Sequence, residues 1–329
     1  MKMTQNNVHQ EITQWGYEYL LSHGYTLKSN SPEKVQNTPW SYVIRFGTSE
    51  GYIYLKHTPY LLSIEADIIQ LLRDHFHASV PEVIANNTKL NGFLMKDAGK
   101  PLREILKKEF DANLFCEAID QFTSMQIRVA DHVNTFIKIG VPDWRLHKLP
   151  TLFAELLTKK DLLIADGLVE KELVELEKLL PKIIRLCDEL LAYNIQQSIV
   201  QPDFNDNNTL IDESSQKITI IDLGEIAITH PFFSLLNGLQ QMEKHHGLTK
   251  DSNDYLKIRD ACLKNYLAFE SQEDLLKALQ LCYPLWFVYG TLAGYRLIEA
   301  CGKSTMMSYQ HGKFISGLKE LLIIMTINS

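Results

Sequence analysis

The sequence predicts an α+β fold with two lobes: a small sheet-rich N-terminal lobe over residues 1–97, and a large, mostly helical C-terminal lobe over residues 98–329. β-branched and aromatic runs separated by turn residues fill much of the first lobe. Leucine and isoleucine recur at helical spacing through residues 102–195 and again after residue 231. A hairpin within residues 199–226 interrupts this helical pattern.

Length and composition fit such a protein and exclude several classes. The 329 residues suffice for two lobes of ordinary size, and 45% hydrophobic with 22% charged residues is a globular composition. A net charge of −7 argues against a nucleic-acid-binding protein, so we expect no nucleic-acid partner. Five scattered cysteines without C-x-x-C spacing indicate reduced thiols and a cytoplasmic location.

The sequence predicts no contact with a membrane. Residues 1–7 are polar and lack the apolar core of a signal peptide. The most apolar stretch, residues 279–294, contains Gln280 and Pro284 and is short for a membrane span, so we expect a buried helix there. Either a monomer or a homodimer is compatible with the sequence.

The N-terminal lobe begins with an amphipathic helix over residues 8–23, which Gly24 ends. Strands follow, each apolar or aromatic and bounded by turn residues: residues 41–46, 52–56, 80–85 and 92–96. Between the second and third of them, residues 63–73 have the apolar spacing of a helix.

Lys56 and Glu65 form a candidate pair in this lobe. Lys56 ends a strand, and Glu65 lies near the start of the next helix, with Asp67 as an alternative partner. A lysine at the end of a strand is most often simply exposed. In kinases, however, a lysine in this position touches the α- and β-phosphates and is fixed by a glutamate from the following helix. The order of the two elements favours this second interpretation.

The residues most suited to chemistry lie on the hairpin. Asp203 follows a short apolar run, and Asn208 lies five positions later. Two short strands, residues 209–211 and 218–221, come next, and the second leads directly into Asp222. Because an antiparallel hairpin brings its outer ends together, we expect Asp203, Asn208 and Asp222 to converge.

Such a convergence suits phosphoryl transfer. That reaction needs a carboxylate near the attacking hydroxyl, and oxygen ligands that hold Mg²⁺ against the phosphates. Protein kinases have an Asp, an Asn five residues later and, after a short hairpin, a metal-binding Asp before a Gly. The alternative is an ordinary hairpin, since Asp and Asn are common turn residues. The hairpin length and the Asp-x-Gly of Asp222 and Gly224 favour the kinase pattern.

The stretch resembles the aminoglycoside phosphotransferase and choline kinase superfamily, whose members carry approximately H-G-D-x-H-x-x-N followed by I-D. The resemblance implies a protein-kinase-like two-lobed fold. It implies that Asp203 is the catalytic residue and that Asn208 and Asp222 bind Mg²⁺. A small-molecule acceptor is the implied partner.

The resemblance also implies a nucleotide site, with ATP as the cofactor and GTP as a possible substitute. Lys56, fixed by Glu65, would hold the α- and β-phosphates. Backbone groups near Met95 and Asp97, at the hinge between the lobes, would meet the base. No G-x-G-x-x-G precedes Lys56. Protein kinases usually have that loop, whereas this superfamily often lacks it, so its absence favours a small-molecule kinase.

Three residues depart from the family pattern: Gln201, Pro202 and Asn205 stand where it has His, Gly and His. They leave open a catalytically silent protein that binds nucleotide or a metabolite. A protein kinase is disfavoured because no A-P-E segment follows the hairpin. Our primary prediction is an ATP-dependent phosphotransferase acting on a hydroxyl of an aminoglycoside-, choline- or sugar-like acceptor.

Other residues give weaker signals. Trp144 and Arg145 interrupt the helical region that forms the substrate pocket in the superfamily, although packing is the simpler interpretation. His245 and His246 are adjacent, so they point to different sides of a helix, and we expect a solvated end. Three acidic residues could face a cationic acceptor, but each is expected to be a surface charge: Asp206, Glu225 and Glu299.

Overall fold

The computed structural model of this protein describes residues 5–29 and 31–327. The outer ends of the two predicted lobes, residues 1–4 and 328–329, lie outside the described residues, and so does the greater part of the polar N-terminal segment.

An antiparallel sheet forms the N-terminal part of the described chain. Its strands are β1 (Glu33–Asn37), β2 (Tyr42–Thr48), β3 (Gly51–His57), β4 (Val83–Asn87) and β5 (Gly92–Lys96). Their order is β1-β2-β3-β5-β4, which makes β3 the central strand. Lys56 of β3 pairs with Val43 on one side and with Phe93 on the other. The candidate phosphate-binding lysine therefore sits on a strand held on both sides.

Helices α1 (Gln5–Ser22) and α2 (Glu65–Phe76) pack against this sheet. Ile12 and Leu20 of α1 are fully buried against Phe46 and Leu55. Helix α1 ends as predicted, because Gly24 adopts a positive φ of 82° that a residue with a side chain rarely adopts. The first turn of α2 contains Glu65, which points toward β3.

The rest of the chain is mainly helical. The short strand β6 (Lys100–Pro101) leads into it from the sheet. The helices are α3 (Leu102–Leu106), α4 (Ala112–Ala130), α5 (Val133–Lys138), α6 (Leu149–Leu157), α7 (Lys160–Ala165), α8 (Glu170–Lys178), α9 (Leu180–Leu191), α10 (Phe232–His246), α11 (Asn253–Lys264), α12 (Gln272–Cys301), α13 (Lys303–Gln310) and α14 (Lys313–Ile327). The predicted α+β architecture with a sheet-rich and a helical part is confirmed.

Four short strands lie between α9 and α10: β7 (Ser198–Val200), β8 (Thr209–Asp212), β9 (Lys217–Ile220) and β10 (Ala227–Thr229). Strands β8 and β9 form the predicted hairpin, with Thr209 opposite Ile220. Strand β6 pairs with the open edge of β8. Strand β7 pairs with β10, so the loop after β7 and the loop after β9 are anchored at neighbouring points.

Apolar spacing predicts single helices over residues 152–163, 169–191 and 304–327, and the structure divides each of them in two. The first breaks between α6 and α7. The second breaks at Leu179, and Pro181 lies in the first turn of α9, where a missing N–H costs nothing. The third breaks between α13 and α14, where Gly312 has a φ of 80°. Apolar spacing continues through these breaks, which explains why periodicity alone did not reveal them.

Helix α12 spans 30 residues and forms the centre of the helical core. Its buried side chains include Leu285, Val288 and Tyr289, so the buried helix predicted over residues 279–294 is confirmed. Among the described residues, no helix is long and apolar enough to cross a membrane.

Candidate functional site

A lysine joins two carboxylates at the centre of the site. Lys56 Nζ lies 2.7 Å from Glu65 Oε2 and donates a hydrogen bond of 2.5 Å to Asp222 Oδ1. Lys56 and Glu65 are only 6% and 2% exposed, whereas the Asp222 side chain is 41% exposed. The predicted pair of Lys56 and Glu65 is therefore formed, and it connects the sheet with the end of the β8–β9 hairpin.

Electrostatics keep this lysine positively charged. Burial alone would lower the pKa of Lys56, but the negative charges of Asp222 and Glu65, both hydrogen-bonded to it, raise it above its usual value. Burial raises the pKa of Glu65, while Lys56 and the Leu223 amide oppose that rise. We take the pair as ionised, because two donors hold the Glu65 carboxylate at hydrogen-bonding distance.

The backbone around Asp222 is unusual. Asp222 has a φ of 63°, an uncommon conformation that tends to mark functional sites. Gln201 donates from Nε2 to the carbonyl oxygens of Ile221 and Asp222, at 2.8 and 3.0 Å. A Cβ added to Gly224 would lie 2.9 Å from Glu65 Oε2, so only glycine lets this turn approach α2. Gln201, which departs from the family pattern, thus supports the turn.

Two amide side chains hold the carboxylate of Asp203. Asn208 Nδ2 donates to Asp203 Oδ2 at 2.9 Å, and Asn205 Nδ2 donates to Asp203 Oδ1 at 2.8 Å. Both amides also donate to the Asp203 carbonyl oxygen. Asn205, a second departure from the family pattern, therefore fixes Asp203. The loop brings Asp203 and Asn208 together as predicted.

Asp203 is exposed as a residue, although protein surrounds its carboxylate on most sides. This partial burial raises the pKa of Asp203, and the negative charge of Asp222 raises it further. The Asn208 hydrogen bond opposes the shift. The two carboxylates are thus close enough to influence each other, as the hairpin geometry predicted. A carboxylate with a raised pKa is a better proton acceptor than an ordinary aspartate.

The residues present fit a magnesium ion bound jointly with phosphates. Because Asn208 uses its amide nitrogen on Asp203, its amide oxygen is left for a ligand. Asp222 adds a partly exposed carboxylate. Within residues 5–29 and 31–327, no three His, Cys, Asp or Glu side chains gather into a metal site. Mg²⁺ commonly takes one or two protein ligands and completes its shell with phosphates and water, which matches this sparse donor set.

A cavity of about 610 Å³ opens beside these residues. It extends from Asp203 and Asp222 to the C-terminal helices α12, α13 and α14. Its wall includes aromatic and further acidic side chains, among them Trp40, Trp286, Phe287, Tyr289, Glu225 and Glu320, and one lysine, Lys313. The mixed wall can bind a molecule with apolar faces and a positive charge.

Glu225 and Arg296 lie deep in the same region. Burial raises the pKa of Glu225 to about 8, and the nearby charge of Asp222 contributes to the rise. Arg296 of α12 is 9% exposed and donates to the carbonyl oxygens of Ile226 and Leu61, at 3.1 and 3.3 Å. The surface position expected for Glu225 is therefore wrong, because the residue is partly buried at the cavity.

The predicted hinge residues lie where the sheet meets the helical part. Met95 of β5 is partly buried opposite Tyr54, and Asp97 is exposed. The Asp97 N–H donates to Tyr52 O at 3.2 Å, so that amide is already used within the sheet. Gly99 follows with a φ of 111° and packs directly on the backbone of Ile211.

Asp206 and His246 correct two expectations. Asp206 is fully buried: its Oδ1 accepts from Arg103 Nε and Nη2 at 2.9 and 2.7 Å, and its Oδ2 lies 2.7 Å from His246 Nε2. Neither residue is solvated, because the loop from Asp203 to Asn208 packs on α3 and on the end of α10. The spacing of residues in the sequence could not predict this network, because Arg103 and His246 are each more than 35 positions from Asp206.

Trp144 and Arg145 do not line the cavity. The Trp144 ring packs edge-on against Tyr289, and Arg145 forms an ion pair with Asp143 at 2.7 Å. Glu299 is exposed on α12, as expected for a surface charge. The sequence interpretation instead missed Trp286, Phe287 and Gly290 of the cavity wall. A glycine one turn after two aromatic residues was a signal that could have found them.

The fold and this geometry are those of a two-lobed, protein-kinase-like protein. No protein-family model matches the sequence, and no curated protein matches it. Solved structures do match. Plasmodium vivax ethanolamine kinase has a TM-score of 0.59 and 12% identity, over 89% of this chain and 81% of that chain.

Two further structures match nearly end to end. APH(2")-IIia, solved in complex with GDP and kanamycin, has a TM-score of 0.59 and 16% identity, over 96% of this chain and 99% of that one. Macrolide 2'-phosphotransferase type I has a TM-score of 0.58 and 11% identity, over 98% of each chain. At such identities the similarity establishes the fold alone. It confirms the protein-kinase-like fold predicted from the resemblance to the aminoglycoside phosphotransferase and choline kinase superfamily.

Proposed function

We propose that this protein is a small-molecule kinase that transfers the γ-phosphoryl group of ATP, or of GTP, to a hydroxyl group of its acceptor. One observation carries the proposal: Asp203 and Asp222 line the same cavity, and Asp222 is bound to a buried Lys56 that Glu65 fixes. A nucleophile-activating carboxylate, a metal-binding carboxylate and a phosphate-binding cation are the parts that phosphoryl transfer needs at one place.

The nucleotide occupies the cleft between the sheet and the helical part. Lys56 contacts the α- and β-phosphates, and Glu65 keeps its ammonium group in place. Met95 and Asp97 lie beside the base at the hinge, where we place the boundary between an N-terminal lobe (residues 1–97) and a C-terminal lobe (residues 98–329). One structural neighbour was solved as a complex with GDP, which supports the use of a nucleotide.

Asp203 acts on the acceptor. Its carboxylate accepts the proton of the acceptor hydroxyl while the hydroxyl oxygen forms a bond to the γ-phosphorus, and the bond from that phosphorus to the β-γ bridging oxygen breaks. The amides of Asn205 and Asn208 hold the carboxylate in one orientation. Most of the rate enhancement comes from this positioning and from charge stabilisation, as is usual for phosphoryl transfer.

Asn208 and Asp222 would hold Mg²⁺, through the Asn208 amide oxygen and the Asp222 carboxylate. The ion supplies positive charge that offsets the charge of the phosphates. Lys56 supplies positive charge from the other side of the cleft. When nucleotide is bound, Lys56 contacts both Asp222 and the phosphates.

The cavity wall supports an acceptor that carries a positive charge. Carboxylates and aromatic rings together attract an ammonium group, through charge and through the negative faces of the rings. The neighbouring structures include an ethanolamine kinase and a protein complexed with kanamycin, both of which handle amines. An aminoglycoside-, choline- or sugar-like acceptor fits the proposal.

A thermal-shift titration with Mg-ATP and Mg-GTP tests the nucleotide site. A ligand at about a hundred times its dissociation constant stabilises a protein by roughly 2.7 kcal/mol, which raises the melting temperature by a few degrees. We expect this shift for the wild type. We expect it to be absent or strongly reduced for Asp222→Asn, since one metal ligand is lost.

Asp212→Asn is the matched control, because Asp212 ends β8 on the same hairpin but does not line the cavity. We expect its shift to equal that of the wild type. Transfer of phosphate to kanamycin, choline and sugars is then measured for the wild type and for Asp203→Asn. Nucleotide binding without any turnover would support the silent binding protein, and equal turnover by Asp203→Asn would rule out the proposed role of Asp203.

A further inference from the structure

Gly290 lies in the wall of the cavity, near the middle of the long helix α12. Its backbone is exposed, although the residues on either side, Tyr289 and Thr291, are buried. Glycine is unfavourable inside a helix compared with alanine, because it has more conformational freedom to lose on folding. A glycine at this position therefore needs a structural or functional reason.

Backbone geometry and packing do not supply that reason. Gly290 does not have a positive φ, so a side chain would not strain the helix. A Cβ added to Gly290 would meet no atom within 4 Å. The position faces open space in the cavity, and a methyl group would fit there without a collision.

Other glycines in the same region have a packing role. A Cβ on Gly294, one turn further along α12, would lie 3.3 Å from the ring of Phe314. A Cβ on Gly317 of α14 would lie 3.1 Å from Thr291 Oγ1 and 3.3 Å from the Phe287 carbonyl oxygen. These two glycines let α12 and α14 approach each other. Gly290 differs from both, because it leaves space that the protein itself does not fill.

The space over Gly290 has a defined chemical character. Trp286 and Phe287 lie four and three positions before Gly290, so they flank it on the same face of the helix. The carboxylates of Asp203, Asp222 and Glu320 border the same cavity. At about 610 Å³, the cavity has the size of sites for drug-sized ligands rather than for a molecule of a few atoms.

We propose that Gly290 is a specificity-determining residue of the acceptor pocket, and that its missing side chain makes room for a ring-sized acceptor that carries an amine. This inference rests on the proposed kinase function and adds to it the residue that selects acceptor size. The ring of the acceptor lies over Gly290 between the aromatic side chains, and its amine faces the carboxylates. A small amino alcohol leaves most of this space empty.

The test compares Gly290→Leu and Gly290→Ala with the wild type. Gln280→Leu is the matched control, because Gln280 is exposed on the same helix and does not line the cavity. The acceptors are kanamycin, erythromycin and ethanolamine, each assayed with Mg-ATP for KM and kcat. Thermal shifts with Mg-ATP alone are measured on every variant.

We expect the wild type to phosphorylate kanamycin or erythromycin with a lower KM than ethanolamine. Gly290→Leu should raise the KM of the ring-sized acceptor at least tenfold, and Gly290→Ala, which adds only a methyl group, by a smaller factor. Gln280→Leu should behave as the wild type. The Mg-ATP shift should persist in both Gly290 variants, since Lys56, Asn208 and Asp222, which hold the phosphates and the metal in the proposed kinase, are unchanged.

The proposal is overturned if Gly290→Leu leaves the KM of the ring-sized acceptor unchanged. It is also overturned if ethanolamine is the only acceptor phosphorylated. A wild type that binds nucleotide and phosphorylates none of the acceptors supports the silent binding protein, and one that neither Mg-ATP nor Mg-GTP shifts contradicts the nucleotide site. In both of these cases the kinase function fails and the role of Gly290 falls with it, so turnover of ethanolamine separates the two failures.

Discussion

Among single residues, Asp206 carries a buried negative charge that the loop around Asp203 must neutralise. Arg103 does so as an ion-pair partner, and His246, from a different helix, lies within hydrogen-bonding distance of the same carboxylate. Removing one partner of a buried ion pair leaves an uncompensated charge, which is costly. We predict that Arg103→Met lowers the free energy of unfolding by roughly 3 kcal/mol, and thereby lowers the melting temperature by several degrees. Chemical denaturation with a fluorescence readout measures the change.

Lys100→Met is the control for this prediction. Lys100 lies three residues earlier and forms an ion pair with Glu213, but both side chains are more than half exposed. Exposed ion pairs contribute little to stability, so we expect no measurable change. If Arg103→Met and Lys100→Met lower the free energy of unfolding equally, the hydrogen bonds around Asp206 do not stabilise the loop.

Glu225 gives a prediction about pH. Its pKa rises from 4.5 to about 8 on folding, chiefly through burial and then through the charge of Asp222. The folded state therefore binds an extra proton between these values, and the contribution of Glu225 to stability is lost as the pH rises toward 8. We expect Glu225→Gln and the wild type to melt alike near pH 5. Above pH 8 the variant should melt a few degrees higher.

Melting temperatures recorded from pH 5 to 9 with EDTA, without nucleotide, check this prediction. A pKa shift of one unit corresponds to about 1.4 kcal/mol of stability. Part of Glu225 remains exposed, so water screens the charge and reduces the loss of stability below that figure. Glu213→Gln is a suitable control, since Glu213 is exposed. If the melting temperatures of Glu225→Gln and the wild type differ by the same amount at every pH in this range, Glu225 is not buried in its protonated form.

The site residues that could be predicted are those that lie close together along the chain. Asp203, Asn208 and Asp222 lie on one hairpin, and Lys56 and Glu65 lie nine positions apart on adjacent elements. Their meeting follows from short-range geometry. Asp206 and Arg103 are 103 positions apart, and their hydrogen bond depends on how α3 packs beneath the loop. Sequence spacing does not contain that information.

At the scale of elements, the hairpin and four of the five strands of the N-terminal sheet were predictable because turn residues bound them clearly. Strand β1 was missed, because it is mostly polar and exposed along its whole length. Helix breaks were harder, since apolar spacing continued through them. Pro181 and Gly312 mark two of the missed breaks and were available as signals. The position of α12 beside the hairpin was not predictable, because a helical pattern does not reveal which of its faces borders a cavity.

Gly99 allows a prediction about the connection between the sheet and the helical part. Gly99 and Gly51 have nearly the same positive φ, 111° and 114°, so alanine strains both positions alike. A Cβ on Gly99 would also lie 2.2 Å from the Ile211 carbonyl oxygen, whereas a Cβ on Gly51 meets nothing within 4 Å. We predict that Gly51→Ala costs about 1 kcal/mol from strain.

Gly99→Ala should cost clearly more than Gly51→Ala, because β6 must move away from β8 to relieve the collision. Urea denaturation gives the free energy of unfolding of each variant. The difference between the two values is the cost of the collision, because the backbone strain is the same in both. Amide exchange at Lys100 and Ile211 should accelerate in Gly99→Ala. If both variants lose the same stability, the close approach of Gly99 to Ile211 is not part of the folded structure.

At the scale of the whole molecule, contacts at three separate points join the N-terminal and C-terminal parts around the cavity. Lys56 binds Asp222, Arg296 donates to the Leu61 carbonyl oxygen, and the Trp40 ring packs edge-on against Tyr309 of α13 at 5.2 Å. The last contact comes from the turn between β1 and β2, and β1 is exposed along its whole length. Trp40 therefore holds the end of a hairpin that is otherwise supported mainly by β2.

The position of Trp40 makes it a reporter of ligand binding across both lobes. Trp40 lines the cavity with Asp203 and Asp222, so phosphates bound beside Lys56 and Asp222 alter its surroundings. Domain closure around a ligand changes such interlobe contacts. We predict that Mg-ATP changes the intrinsic fluorescence of the wild type, and that Trp40→Phe loses most of this change. Titration of both proteins with Mg-ATP at 295 nm excitation measures it.

Trp15→Phe is the control, because Trp15 packs on the other face of the N-terminal sheet, within the α1 cluster. Its variant should keep the full response, since the other tryptophans are unchanged. A Trp40→Phe variant that binds Mg-ATP, as judged by its thermal shift, and still shows the wild-type fluorescence change would mean that the hairpin end does not sense the nucleotide. Loss of the response in Trp15→Phe would instead indicate a change transmitted through the sheet and α1.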